Sequence, residues 1–376
     1  MSDASQLRAY LRLHLAAGVG AVLFRRLLDA FGDAESVLSA GPQQWRQVEG
    51  IGAKTAAAMA SVREADADAE LAEADKHGVR IICMADADFP AALKTLYDCP
   101  PVLYIRGRVG PADAVAVGIV GSRRCTHYGL EQAERFGQLL AAAGFTVVSG
   151  GARGIDTAAH RGALAADGRT VAVMGCGLCQ SYPAENARLF DGIVAEGRGA
   201  VISELPMKTT PLAGHFPTRN RIISGMSLGV VIVEAGKRSG ALITAREAAE
   251  QGRAVFAVPG RLDSPLSRGT HELIRDGAVL VQGLEDVLEQ LGEVGVKMTV
   301  PDAPAEPVSV SGLNQTQQKL LDVLAGASLS LDELADRTGL DSGAATAAMT
   351  MLVLKGAVRQ MPGNVFARRL SRPTAQ

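Results

Sequence analysis

Two segments decide the fold, AVGIVGSRR (residues 116–124) and FTVVSGGARG (residues 145–154). Each is a run of apolar, mostly β-branched residues that ends in glycine and arginine, and a helical pattern follows it. Seven similar runs lie between residues 79 and 283. Continuous apolar runs separated by helices are typical of a parallel sheet that is buried on both faces. The sequence therefore predicts a Rossmann-like, doubly wound, mostly parallel α/β domain over residues 76–292.

Different patterns flank this domain. Residues 1–75 are predicted to be helical, and they carry a weak repeat in which GVG (18–20) and GIG (50–52) each open a periodic helix, as in helix-hairpin-helix modules. Residues 293–312 gather Pro, Ser and Gly and are predicted to be a linker. Residues 313–376 are predicted to form three helices and a hairpin, which is a winged helix that contacts either duplex DNA or a protein.

The composition limits the function classes. The 376 residues carry a net charge of −2, so a binding site for a polyanion must be built locally rather than by a basic surface. The N-terminus has no leader pattern and no stretch approaches the ~20 apolar residues of a membrane span, so we expect a cytoplasmic protein. The Cys176–Cys179 pair has no second ligand pair, which favours a tight turn over a zinc or redox site. We expect neither a metal nor a cofactor.

The candidate site lies in the loops that follow the strands. In a doubly wound sheet, ligands bind beyond the carboxyl ends of the strands, and glycine lets the backbone approach a phosphate while arginine offers a rigid fork of donors. The segment FPTRNR adds an aromatic ring and two arginines beside these loops. The predicted contacts are Gly121, Ser122, Arg123, Gly151, Arg153, Phe216, Arg219, Asn220, Arg221, Lys237, Ser239 and Gly240.

The loop chemistry disfavours several enzymes. GSRR replaces the GxGxxG of dinucleotide-binding proteins, and GxxxxGK[ST] is absent from the sequence. Asp156, Glu204 and Glu234 lie near strand ends, but none is paired in sequence with a histidine or a second acid. Arginine-rich loops without an acid/base pair favour a polymer of phosphates, and single-stranded nucleic acid with bases stacked on Phe216 or Tyr182 fits best. For Phe216, a core contact that anchors its loop is an equal alternative.

The ordered motifs IVGSR, SGGARGIDTAAHRGAL, YPAEN, ISELP, FPTRNRIISG and VEAGKRSGALITAREA resemble the DNA-processing protein A family, also called Smf. The resemblance implies a homodimer that binds and protects incoming single-stranded DNA and loads the RecA recombinase onto it in natural transformation, without enzymatic activity. It also implies a sterile-alpha-motif-like N-terminal domain and a C-terminal winged helix, and it carries Arg123, Asn220 and Arg221 over as DNA contacts. The amphipathic segment 269–281, with Leu273 and Ile274, is the candidate dimer face.

A nucleotide-binding protein of the phosphoribohydrolase or molybdenum-cofactor-carrier type is the alternative. Those hydrolases use a PGGxGTxxE segment whose glutamate acts at the sugar. Here Pro259 and Gly260 continue as RLDSPL, and Thr244, Ala245 and Arg246 stand where the carboxylate is wanted. The enzyme interpretation therefore lacks its central residue.

Overall fold

The computed structural model describes residues 4–292, 294, 313–324, 328–355, 357–361 and 365–368. The chain divides into two compact units, one within residues 1–300 and the other within residues 301–376. In the described residues, no helix is both long enough and apolar enough to cross a membrane. The predicted linker 293–312 lies outside the described residues, apart from residue 294.

A nine-stranded sheet organises the first unit. All nine predicted runs form strands: β1 (Val79–Cys83), β2 (Val102–Gly107), β3 (Ala116–Val120), β4 (Thr146–Ser149), β5 (Thr170–Met174), β6 (Gly199–Ser203), β7 (Gly229–Ile232), β8 (Ala254–Ala257) and β9 (Val279–Leu280). Their order is β1-β2-β6-β5-β4-β3-β7-β8-β9. In this spatial order, neighbouring strands pair in parallel throughout the run β6-β5-β4-β3-β7-β8-β9. Strand β2 pairs antiparallel with both β1 and β6. The predicted mostly parallel sheet is confirmed.

Strand β3 lies where the winding reverses. The chain runs outward from β3 through β4 and β5 to β6, then returns to place β7 on the other side of β3. In register, Val120 pairs with Ile232, so β3 and β7 end side by side. A doubly wound sheet opens a crevice at this point because the following loops diverge to opposite faces.

Helices cover both faces of the sheet. The helices of the first unit are α1 (Ala4–Leu15), α2 (Ala21–Phe31), α3 (Ala34–Ala40), α4 (Pro42–Trp45), α5 (Ala53–Ser61), α6 (Glu64–Lys76), α7 (Ala91–Lys94), α8 (His127–Ala142), α9 (Ile155–Ala165), α10 (Ala187–Val194), α11 (His215–Gly225), α12 (Gly240–Glu250), α13 (Arg268–Arg275) and α14 (Leu284–Leu291). Val230 and Ile232 of β7 join the core that contains residues of α11 and α12, whereas Val231 joins the core of α8 and α9. This alternation is the period of a strand that is buried on both faces.

The N-terminal helices share a core with the edge of the sheet. Leu11, Trp45 and Met59 of this region belong to one hydrophobic cluster with Val102 and Tyr104 of β2. The glycine repeat has the predicted consequence, because α2 and α5 begin directly after Gly20 and Gly52. Residues 4–76 are therefore packed onto the sheet as part of the same compact unit.

The second unit is a winged helix. Its elements are α15 (Gln315–Val323), β10 (Leu329–Ser330), α16 (Leu331–Thr338), α17 (Ser342–Leu354), β11 (Val358–Met361) and β12 (Val365–Arg368). Asn314, Ser330 and Asp341 cap the three helices by accepting hydrogen bonds from backbone amides of the first turns. The predicted three helices and hairpin are confirmed, with β10 as an additional strand, and the predicted hairpin turn at residues 362–364 lies outside the described residues.

Candidate nucleic-acid interface

A cavity of about 810 Å³ opens at the ends of β3 and β7. This volume falls within the roughly 300–1,000 Å³ that is usual for ligand sites. The loops after β3, β4 and β7 and the start of α11 form its walls. Nine of the twelve predicted contacts line it: Gly121, Ser122, Arg123, Phe216, Arg219, Asn220, Lys237, Ser239 and Gly240.

Glu234 fixes the GSRR loop to the end of β7. Its backbone oxygen accepts a hydrogen bond from Ser122 N at 2.7 Å. Its carboxylate accepts hydrogen bonds from Thr126 N at 2.8 Å and from Thr126 Oγ1 at 2.6 Å. Because Thr126 also caps α8, the loop is held at both ends. Glu234 is therefore engaged in positioning the loop that carries Arg123.

The cavity is strongly cationic. Five of its lining residues are basic, namely Arg123, Arg124, Arg219, Lys237 and Arg238, against Asp156 as the single carboxylate of the lining. Lys237 Nζ lies 3.4 Å from Glu272 Oε1. In the part of the chain that the structure describes, no ion pair engages Arg123, Arg124 or Arg238. A chain with a net negative charge thus gathers unpaired positive charge at one place.

An aromatic platform lies beside these charges. The guanidinium carbon of Arg123 is 4.8 Å from the centroid of the Phe216 ring, which is a cation–π distance. The ring of Tyr182 lies 5.7 Å from that of Phe216, centroid to centroid. Phe216 also contacts Gly175, where a Cβ atom would come within 2.8 Å of the ring. Glycine at this position lets the platform approach the end of β5.

Arg219 lines the cavity floor rather than its mouth. Its side chain is buried, Nη1 donates a hydrogen bond to the backbone oxygen of Val173, and its guanidinium packs directly on Gly150. Burial lowers the pKa of Arg219 to about 10, while nearby Asp156 acts in the opposite direction. Burial likewise raises the pKa of Asp156 to about 6, with Arg219 opposing that rise. The floor therefore carries two buried groups of opposite charge, each of which influences the pKa of the other.

Three predicted contacts lie elsewhere. The expectation that Arg221 faces the GSRR loop is wrong: its buried side chain binds Asp98 at 2.8 Å and Glu204 at 2.7 Å, and it does not line the cavity. Gly151 is buried as well, with Phe190 2.9 Å from where its Cβ would be. Arg153 reaches a smaller neighbouring cavity with Phe216 and Tyr182, but it forms a two-bond ion pair with Glu185.

Helix α11 explains the misplacement of Arg221. Helix α11 begins at His215, so residues 219–221 lie inside the helix. Residues two apart on a helix point about 200° apart, so Arg219 and Arg221 cannot face the same groove. Asn220 lies between them, lines the cavity and donates a hydrogen bond to the backbone oxygen of Gly240 at 3.3 Å. It therefore ties α11 to the start of α12.

The remaining titratable groups near the strand ends have structural partners. Asp156 accepts a hydrogen bond from Ala152 N at 3.2 Å, inside the loop before α9, and Glu204 binds Arg221. His160 Nδ1 lies 2.7 Å from Thr170 Oγ1, and burial lowers the pKa of His160 to about 3. Sequence reasoning did not select Arg124 and Arg238 as contacts, although each adjoins a selected residue.

Fold and site together define a doubly wound α/β protein with a cationic, aromatic-lined cavity at its topological switch point. The chain matches the family model described as "DNA recombination-mediator protein A" over residues 80–292, and models of a DprA winged helix domain and a DprA-like N-terminal HHH domain over residues 302–364 and 4–72. It belongs to the DNA processing protein A family, also called Smf.

Individual relatives agree with this assignment. The chain is 39% identical to Protein Smf of Escherichia coli over 76% of each chain, and 34% identical to Protein Smf of Synechocystis over 94% of this chain and 96% of that one. The solved DNA processing protein A of Streptococcus pneumoniae superimposes with a TM-score of 0.67, at 34% identity over 75% of this chain and 97% of that one. A Helicobacter pylori homologue, described for its single-stranded DNA binding mode, has a TM-score of 0.51, at 31% identity over 57% of this chain and 95% of that one.

Proposed function

We propose that the cavity at the switch point binds single-stranded DNA. The observation that carries this proposal is the set of unpaired cations, Arg123, Arg124 and Arg238, around an accessible aromatic platform. Such a combination tracks a phosphate backbone and stacks bases without reading their sequence. The start of α12 adds backbone amides at the cavity wall, where an anion is favoured.

The family membership supports a wider proposal. We infer that the protein protects incoming single strands and loads the RecA recombinase onto them in natural transformation and recombination, in the cytoplasm. The assay is recombinase filament formation on oligonucleotides that a single-strand-binding protein already covers. Faster filament formation with the protein than without it supports loading, and an unchanged rate contradicts it.

Salt dependence tests the DNA site most directly. Each lost phosphate contact should flatten the slope of log affinity against log salt by about 0.7 for a single strand. Arg123→Ala should therefore weaken binding to oligo-dT by about 1 to 3 kcal/mol and reduce that slope. Arg161→Ala, which removes an exposed arginine of α9 outside the cavity, is the matched control. Equal losses in the two variants would contradict a specific site.

The winged helix is the competing location for single-stranded DNA binding. Its other proposed contacts are duplex DNA or a protein. Removal of residues 301–376 leaves the first compact unit whole. A fragment that starts at residue 76 would not be whole, because residues 4–76 share the core of this unit. We expect the truncated chain to retain oligo-dT affinity. Loss of that affinity on truncation would transfer the function to the winged helix.

We further propose a homodimer through segment 269–281. Leu273 packs against the core, so Leu273→Glu would unfold the protein rather than report on assembly. Ile274 instead lines an apolar cavity with Leu262 and Leu280, which are 90% and 43% exposed. Ile274→Glu should give a monomer in sedimentation with unchanged circular dichroism, and an unaltered sedimentation coefficient would contradict this face.

We also propose that the protein is a binder without enzymatic activity of its own. Each carboxylate near the strand ends is engaged with the protein's own groups, Asp156 with Ala152 N, Glu204 with Arg221 and Glu234 with Thr126. The experiment is incubation of the purified protein with nucleoside monophosphates. Release of free base would overturn the proposal in favour of a phosphoribohydrolase.

A further inference from the structure

Three metal-ligating side chains meet on the side of the first unit where α6 packs against the sheet. Glu73 lies in the last turn of α6, His77 follows the helix, and Cys179 lies in the GCGLC loop after β5. A carboxylate oxygen of Glu73, a ring nitrogen of His77 and the Sγ atom of Cys179 all lie within 4.8 Å of one another. These residues are outside the lining of the cationic cavity.

The spacing of the three groups approaches that of a tetrahedral site. Glu73 Oε1 lies 3.8 Å from Cys179 Sγ and 3.8 Å from His77 Nδ1. Ligands bound at the usual zinc distances stand about 3.3 to 3.6 Å apart at tetrahedral angles. The ligand atoms of His77 and Cys179 are at most 4.8 Å apart, so side-chain rotations that move the ligand atoms by about 1 Å place all three around one ion.

The surrounding charges orient the carboxylate for such a role. Lys208 Nζ lies 3.0 Å from Glu73 Oε2, and Lys76 Nζ lies 3.7 Å from the same atom. Both lysines thus engage Oε2, while Oε1 is directed toward the thiol and the imidazole. Hydrogen-bonded support of the second carboxylate oxygen is the outer-shell arrangement that holds metal ligands in place.

His77 is similarly prepared. Its Nδ1 also lies 3.0 Å from the backbone oxygen of Glu73; if Nδ1 carries the proton and donates it there, Nε2 is the ligating nitrogen, and if the ring turns away from that oxygen, Nδ1 is. The ring is 35% exposed in its side chain and terminates a helix, so it is free to rotate and present either nitrogen.

We propose that Glu73, His77 and Cys179 bind one zinc ion, with water as the fourth ligand. One thiolate, one imidazole and one carboxylate form a donor set that suits zinc, whereas magnesium and calcium prefer oxygen ligands alone. Binding deprotonates the Cys179 thiol, and the proton passes to solvent.

The ion would connect the N-terminal helices to the DNA cavity. Cys179 stands three residues before Tyr182, which lines that cavity against Phe216. Zinc would fasten the loop that carries Tyr182 to α6, which is already joined to the segment after β6 by the Glu70 carboxylate, at 2.7 Å from Met207 N. The CxxC pattern alone does not reveal this site, because two of the ligands lie about a hundred residues upstream.

The test is metal titration of the reduced, chelator-treated full-length protein. Wild type should bind one zinc per chain in competition with a chromogenic chelator, and cobalt should give a thiolate-to-metal absorption band. Cys179→Ser should abolish the band and weaken zinc binding at least about tenfold, because even the loss of an outer-shell partner costs that much. His77→Gln should weaken zinc binding similarly, and it serves if Cys179→Ser fails to fold.

Cys125→Ser is the matched control, since Cys125 is another partly exposed cysteine, next to α8 and far along the chain from α6. Retention of the cobalt band and of zinc affinity in this variant, with loss in Cys179→Ser, supports the site. Absence of a thiolate band in wild type, or equal zinc affinity in wild type and Cys179→Ser, overturns it. Neither result depends on DNA binding, so the proposal stands or fails apart from the proposed function.

Discussion

Replacement of Arg221 by alanine should destabilise the first unit and leave the salt dependence of DNA binding unchanged. The side chain is 5% exposed and binds two carboxylates, Glu204 Oε2 at 2.7 Å and Asp98 Oδ2 at 2.8 Å. Asp98 is 37% exposed and can regain water, but the Glu204 side chain is only 12% exposed. Removal of one partner from a buried ion pair costs about 3 to 5 kcal/mol because an uncompensated charge remains.

The loss should depend on pH. Burial already raises the pKa of Glu204, and Arg221 opposes that rise. In Arg221→Ala the pKa of Glu204 should therefore be higher still. A carboxyl whose folded pKa lies above its unfolded value gains stability as pH falls, because the folded state then takes up the proton more readily. The loss of unfolding free energy caused by Arg221→Ala should therefore be largest near neutral pH and become smaller toward acidic pH.

Urea unfolding followed by tryptophan fluorescence measures this effect. Trp45 is the single tryptophan of the chain, and it is buried in the core that the N-terminal helices share with the sheet. Arg161→Ala provides the control for removal of an exposed arginine. An unchanged unfolding midpoint together with a flatter salt slope for oligo-dT would refute this reasoning and make Arg221 a DNA contact.

Three further predictions follow from the cavity. Glu185→Gln should release Arg153 from its exposed ion pair with Glu185 and raise oligo-dT affinity by up to about fivefold, because an exposed ion pair is weak. Fluorescence anisotropy measures this affinity, and weaker binding would contradict the prediction. Oligo-dT affinity of the wild type should rise as pH falls through about 6, because Asp156 becomes neutral, and titration of Asp156→Asn should show no such rise. Gly150→Ala should lower the melting temperature, because the new Cβ would lie 2.3 Å from Arg219 Nη1. Gly110→Ala should leave the melting temperature unchanged, because no atom lies within 4 Å of the position of its Cβ.

The sequence predicts the architecture well because the signal is local. An apolar run such as AVGIV must be buried on both faces wherever it lies, so each strand could be recognised from its own residues. No comparable sequence pattern indicates that β2 pairs antiparallel with β1 and β6. The shared core of Trp45 with Tyr104 also depends on packing between distant segments, which periodicity does not report.

The site was predicted less completely, and Arg221 shows why. A cluster of arginines near a strand end indicates positive charge, but it does not tell which guanidinium is already compensated. Asp98 and Glu204, the partners of Arg221, lie 123 and 17 positions away in the chain, so no spacing rule connects them. Arg153 and Glu185 are 32 positions apart and present the same difficulty.

The arginines of the site divide into two groups with different tasks. Arg219 and Arg221 are buried: Arg219 holds α11 against β5, and Arg221 holds it against Asp98 and Glu204. The second group, Arg123, Arg124 and Arg238, is exposed and has no ion pairs in the described chain. Arg221 cannot exchange its partners for DNA phosphates without leaving Glu204 uncompensated, and Arg219 is buried and bonded to the Val173 backbone oxygen. Counterion release should therefore come from the exposed group and Lys237. With all four engaged, the salt slope should be about −2.8, and a slope twice as steep would require further contacts, from the second subunit of the proposed dimer or from the winged helix.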